Sequence, residues 1–205
     1  MIEVSYPRLA SRVWPRLLPC LLAAVLLTIW LGWWAAVPLW FVAVWLVVRF
    51  RDPYREIPAT PMALVSPVDG VVQSVDRVDD GYMDRKALRL RLKVNWLGAY
   101  SLRSPAEGKV QDLGRLPPES DCCGRMRIHT DEGQDVVMVL RGGRWARRGL
   151  VRVPVGERVG QGQRLGSTRG LHAVELYVHA GARARIEAGA RVKAGSDTLA
   201  LLNHD

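Results

Sequence analysis

VPVGERVGQGQRLG, residues 153–166, is echoed by IEAGARVKAGSDTLALL at 186–202. Both stretches place glycine, valine and glycine at three-residue steps: Gly156, Val159 and Gly162 in the first, Gly189, Val192 and Gly195 in the second. Glycines at such intervals, with small apolar residues between them, suit tight turns joining short strands. A second echo lies upstream, where SPVDGVV (66–72) returns as SPAEGKV (104–110). Between the echoes, ALRLRLKV (87–94) alternates apolar and basic positions as a half-buried strand does, and VELYV (174–178) alternates in the same way. DVVMVL (135–140) reads as a buried strand. From Val65 onward the expectation is a mainly β domain, 65–205, built on internal repeats.

The repeat phrasing is similar to that of biotinyl and lipoyl carrier domains, whose sheets pack as a barrel-sandwich. That resemblance implies a barrel-sandwich-like fold and says nothing of chemistry. A carrier would need a lysine at the hairpin tip, in Met-Lys or Asp-Lys, and neither repeat has one.

Upstream of this domain the composition changes. No charged residue occurs from Leu17 to Val48, and thirty-two residues of helix would be about 48 Å long against a hydrocarbon core of about 30 Å. That is too long for one upright crossing and short for two full ones. Gly32 and Pro38 interrupt the run beside Trp30, Trp33, Trp34 and Trp40, and tryptophan favours the membrane interface. Arg8, Arg12 and Arg16 precede the run, and Arg49, Arg51 and Arg55 follow it. Basic flanks mark the cytoplasmic side, so residues 1–51 read as an N-terminal membrane-anchoring helical hairpin with both ends in the cytoplasm. A secretory signal fits less well, because the stretch is too long and no small-residue cleavage site follows. Pro53, Pro58 and Pro61 make 52–64 an extended linker.

The chain of 205 residues carries a net charge of +9, almost all of it from arginine. With an anchor in the same chain, an anionic phospholipid membrane is the expected partner. No nucleic-acid-binding signature appears, so no nucleic acid is expected. Cys20 lies in the apolar run, Cys122 and Cys123 are adjacent, and no CxxC pair exists. Neither a zinc site nor a disulfide framework is indicated. His129, His179 and His204 show no ligand spacing with His172, so no metal is assigned.

VVRFRDPYREIP (47–58) running into SPVDGVV resembles the opening of the bacterial phosphatidylserine decarboxylases of the short type. The likeness continues in RSPAEGKV (103–110), WARRGLV (145–151), GERVGQGQRLG (156–166) and VELYVHAGARARIEAGARVKAG (174–195), in the family's order. The resemblance implies a protein of phospholipid metabolism at the bacterial inner membrane, with its β domain facing the cytoplasm and homo-oligomers common. It also implies a carboxy-lyase whose electron sink is a pyruvoyl group made from its own chain. A serine preceded by glycine attacks the preceding carbonyl, the amide becomes an ester, and β-elimination cuts the chain. A histidine acts as base and an aspartate orients it.

Carried over residue by residue, the aspartate is Asp69, whose reading without the family is a turn residue before glycine. The histidine position falls in GAYSLR (98–103) and reads Tyr100. A phenol of ordinary pKa near 10 is a poor base at neutral pH. Counting forward from GERVGQGQRLG and back from VELYV without a gap, the cleavage pair reads Leu171-His172. Imidazole has no β-oxygen to eliminate, so no pyruvoyl forms in this register. LGST at 165–168 spells a cleavage site five residues early; read plainly, it is a turn in which Gly166 ends one repeat and Ser167 begins the next segment.

Two expectations follow. The favoured one is a family member without cofactor, binding anionic lipid or acting in regulation, with Tyr100 and His172 facing one another. The alternative is an active decarboxylase, phosphatidylserine to phosphatidylethanolamine and CO2, with its pyruvoyl formed at Ser167 by a cut after Gly166.

Overall fold

The computed structural model describes residues 13–58, 60, 62–114, 122–143, 146 and 151–202. Arg8, Arg12, His204 and most of the segment 145–151 lie outside the described residues. The chain divides into two compact units, Met1–Tyr54 and Arg55–Asp205.

In the first unit, α1 (Trp14–Leu31) and α2 (Trp33–Arg49) meet at Gly32. Gly32 has φ of +86°, a left-handed conformation that an L side chain resists, and this is where the helix stops. Pro38 lies inside α2 and does not end it. The Cys20 Sγ donates to the Leu39 carbonyl at 3.6 Å, which places the two helices side by side. Helix α1 is long and apolar enough to cross a membrane, while α2 is apolar and shorter, at 17 residues. Their outer surfaces carry exposed Leu22, Ile29, Trp30, Trp34 and Phe41.

Among the described residues of the second unit every regular element is a β-strand. Its strands are β1 (Ala63–Val65), β2 (Gly70–Asp80), β3 (Arg85–Val94), β4 (Ser101–Arg103), β5 (Gly108–Gly114), β6 (Cys122–His129), β7 (Asp135–Gly142), β8 (Arg158–Val159), β9 (Arg164–Ser167), β10 (Leu171–His179), β11 (Arg183–Ala184), β12 (Arg191–Val192) and β13 (Thr198–Leu201). Eight of them form an antiparallel sheet in the order β12-β2-β3-β10-β7-β6-β5-β8. Two smaller sheets run β1-β13-β11 and β4-β9. Among the described residues no strand closes the large sheet into a barrel.

The two echoes explain this order. The strand after the first Ser-Pro turn, β2, pairs with β12 of the second glycine repeat; its counterpart β5 pairs with β8 of the first. Likewise β1 pairs with β13 where β4 pairs with β9. The large sheet therefore reads the same from either end, about an axis between β10 and β7. The Ser-Pro turns clasp each other across that axis: the Val65 amide donates to the Pro105 carbonyl at 2.8 Å, and the Arg103 amide to the Pro67 carbonyl at 2.9 Å. Each turn is closed by its own serine, Ser66 Oγ to the Val68 carbonyl and Ser104 Oγ to the Ala106 carbonyl, both at 2.7 Å. The glycines that follow are required by close approach. A Cβ at Gly70 would collide with the Lys93 carbonyl, and one at Gly108 with the His129 carbonyl.

One face of the large sheet fills the core with Leu88, Leu90, Leu92, Met126, Met138 and Leu176. Strand β3 alternates as its sequence implies, but β10 does not. Its opposite face is buried too, because Glu175 is only 1 % exposed beneath Arg141 and Arg91. Arg141 holds the carboxylate with Nε at 2.8 Å and Nη2 at 3.0 Å, and the Tyr177 hydroxyl donates to it at 3.1 Å. Tyr82 packs edge-on against Tyr177, and the Arg125 guanidinium lies over the Tyr82 ring. Burial, then the Glu175 charge and hydrogen bond, push the Tyr177 hydroxyl up to about 12.

Candidate functional site

Asp69 occupies the first Ser-Pro turn, between β1 and β2, and its carboxylate draws three other segments onto that turn. The Arg55 guanidinium grips it in bidentate fashion, Nη2 to Oδ2 at 2.8 Å and Nη1 to Oδ1. The Ala99 amide donates to Oδ2 at 2.8 Å, and the Ala194 amide to Oδ1 at 2.7 Å. Burial raises the pKa of this carboxyl, but the Arg55 hydrogen bond and the two amides outweigh it, and the net shift is downward. Asp69 is thus an anion held by four donors, with both oxygens occupied.

Those donors were not visible as a site in the sequence. Arg55 counted there among the cations after the apolar run, yet it reaches across to the turn. Ala99 belongs to the β3–β4 loop, which Asp69 also holds through its backbone, since the Asn95 amide donates to the Asp69 carbonyl at 2.7 Å. Ala194 sits one residue before Gly195 of the second repeat. A signal existed in that RDPYREIP and KAG both flank expected β segments, but nothing local pairs them.

Tyr100 follows directly and is 7 % exposed. Its carbonyl accepts from the Thr168 amide at 2.9 Å and from Thr168 Oγ1 at 3.1 Å. The Leu171 amide in turn donates to the Thr168 carbonyl at 3.1 Å. The segments bearing Tyr100 and His172 are therefore drawn together through Thr168. Their side chains have different surroundings: Tyr100 is buried, whereas His172 is exposed at an irregularity in the β10–β7 register.

The LGST segment departs from the turn expected for it. Gly166 and Ser167 end strand β9, where Gly166 pairs with Leu102 and Ser167 with Ser101. On its other side Gly166 bridges Val151. The turn comes one step later, at Thr168–Leu171, where Gly170 takes φ of +82° in the manner of a type II turn. Ser167 is buried, and the peptide preceding it is tied into a ladder.

Of the other histidines, His129 pairs with Asp135 through Nδ1 at 3.0 Å, and His179 Nδ1 accepts the Gly181 amide at 3.2 Å.

The model of the family described as phosphatidylserine decarboxylase matches residues 42–94. Over nearly its full length the chain is similar to the phosphatidylserine decarboxylase proenzyme of Cupriavidus metallidurans, 33% identical over 214 residues, covering 98% of this chain and 99% of the relative. The Burkholderia pseudomallei proenzyme is 34% identical over 212 residues, covering 98% of each. That of Nitrosomonas europaea is 32% identical over 206 residues, covering 95% of each. Among solved structures, the glucose permease IIA of Mycoplasma capricolum aligns with a TM-score of 0.45 and 17% identity over 69% of this chain and 95% of that one.

Proposed function

We propose that this chain, which belongs to the phosphatidylserine decarboxylase family, is a membrane-attached member that does not cut itself. It works by binding anionic phospholipid or by regulating lipid metabolism. Helices α1 and α2 form the membrane hairpin, both ends lie in the cytoplasm, and the symmetric β domain is a barrel-sandwich.

One observation carries the reading. By its resemblance to the family the chain's cleavage pair is read as Leu171-His172, at the start of β10, and a histidine supplies no β-oxygen for elimination. The residues present therefore do not fit a pyruvoyl group at that position. Two further features support this. Tyr100, at the base position, is buried with its carbonyl committed to Thr168. Asp69, at the orienting position, has its oxygens filled by Arg55 and two amides.

An active decarboxylase with its pyruvoyl at Ser167 is the second reading, favoured by the pairing of Ser167 with Ser101, next to Tyr100. A turnover assay separates them. The purified full chain, in vesicles containing phosphatidylserine, is expected to release no CO2 above protein-free vesicles. Ser167→Ala is expected to leave flotation with anionic vesicles unchanged. Turnover that disappears in Ser167→Ala would establish the second reading instead.

A further inference from the structure

The loop between β3 and β4 carries the two adjacent apolar side chains Trp96 and Leu97, 63% and 49% exposed. Exposed apolar residues taken singly are ordinary. This pair differs in being held out. The Leu97 amide donates to Asn95 Oδ1 at 3.1 Å and the Gly98 amide to the Asn95 carbonyl at 3.0 Å, which fixes a tight turn. Asp69 then pins both ends of that turn, through Asn95 and Ala99. Gly98 cannot be larger, since a Cβ there would run into the Asp69 side chain.

Beside the tip the sheet presents cations. Val71 pairs with Lys93 on one side and Arg191 on the other, forming one cross-strand row. Lys93, Arg191 and the neighbouring Lys193 are all exposed. A tryptophan with an aliphatic neighbour, flanked by lysine and arginine, matches the chemistry of a bilayer interface with anionic headgroups, where indole sits at headgroup depth. The covalent chain keeps such a surface within reach. Six residues lead from Arg49, the end of α2, to Arg55, and such a step spans at most about 21 Å.

We propose that the Trp96-Leu97 tip, with Lys93, Arg191 and Lys193 beside it, is a second membrane contact, by which the β domain docks its Asp69 end on an anionic lipid surface. The inference rests on the membrane attachment proposed above and adds an orientation to it. The register supplies an internal control. Lys93, Ala173 and Arg141 mark one end of the sheet, while Ala87, His179 and Asp135 lie toward the other. Exposed Glu132, in the β6–β7 turn, is thus at the far end from the tip.

In the full chain, Leu97, Glu132 or the exposed helical Leu22 is replaced, one at a time, by the photo-crosslinker p-benzoylphenylalanine. The protein is reconstituted in vesicles of phosphatidylcholine and phosphatidylglycerol, irradiated, and its intact mass read. A gain of one phospholipid mass is expected at positions 97 and 22 and none at 132, with the gain at 97 reduced in vesicles of phosphatidylcholine alone. A lipid adduct at 22 without one at 97, or equal adducts at 97 and 132, would overturn the docking while leaving the anchor intact. No adduct at 22 would remove the anchor, and the docking with it.

Discussion

Asp69→Ala is expected to destabilise the β domain by about 3 kcal/mol, the usual consequence of removing one member of a largely buried charge pair. The side chains of Arg55 and Asp69 are only 16% and 12% exposed. The variant strands a guanidinium and two amides whose acceptor is gone. Asp69→Asn is expected to do little better. Each carboxylate oxygen faces at least one amide donor, so whichever way an asparagine is turned, its NH2 group meets another N–H. Arg55→Met removes the charge and keeps much of the volume, so it should cost less, and combining it with Asp69→Ala should be strongly non-additive. Urea unfolding of the full chain in detergent, followed by hydrogen exchange of the β2 and β3 amides, reads all four proteins. Asp69 has a folded pKa below its ordinary value. Its contribution is therefore complete at neutral pH and above the usual carboxylate value, and is lost as pH falls through the lowered folded value. An Asp69→Ala variant as stable as the parent would mean that the four segments are held together by something else.

The second large effect lies on the outer face of the sheet. Glu175→Ala is expected to cost about 3–5 kcal/mol, because it leaves the Arg141 and Arg91 guanidinium groups without the buried carboxylate they share. Glu175→Gln should be milder, keeping an acceptor for Arg141 while removing the charge. Either change should bring the Tyr177 hydroxyl back down from about 12, since the Glu175 charge and hydrogen bond are, after burial, what holds it up. The sign of the alkaline effect follows. The unfolded chain ionises this phenol near 10 and the folded chain only near 12, so the stability it contributes is whole below pH 10 and drains away between the two. Ultraviolet titration of the phenols, parent against Glu175→Gln, measures the change. An unchanged titration curve would remove Glu175 as a cause.

Much of the β domain was legible because its signals are local. The glycine repeats, the alternation of β3 and the apolar run of β7 each concern residues within one strand or turn. The paired echoes even carried the symmetry, since each Ser-Pro turn precedes a strand that pairs with the edge strand of a glycine repeat. Three features were not legible, for different physical reasons. The Ala194 amide reaches Asp69 across 125 positions, and Arg55 across 14, and no spacing rule connects them. Strand β10 reads as alternating because glutamate and tyrosine are polar letters, whereas arginines from β3 and β7 cover them from above. The turn expected at Gly166 lies at Gly170 because both glycines permit a positive φ and only the pairing of Gly166 with Leu102 decides between them. By resemblance the sequence pointed to Asp69, Tyr100, Leu171 and His172 as the candidate site, and the structure ties the segments of Asp69, Tyr100 and His172 together through Ala99 and Thr168. What that resemblance did not contain was the saturation of Asp69 by Arg55 and two amides.

The central claim, that this member of the family does not process itself, is tested most directly by the intact mass of the purified full chain, before and after a carbonyl-reactive hydrazine. One species near 22.9 kDa that gains no hydrazone is the predicted result. Two pieces, 1–166 and a hydrazine-reactive 167–205, would contradict it and place a pyruvoyl group at Ser167.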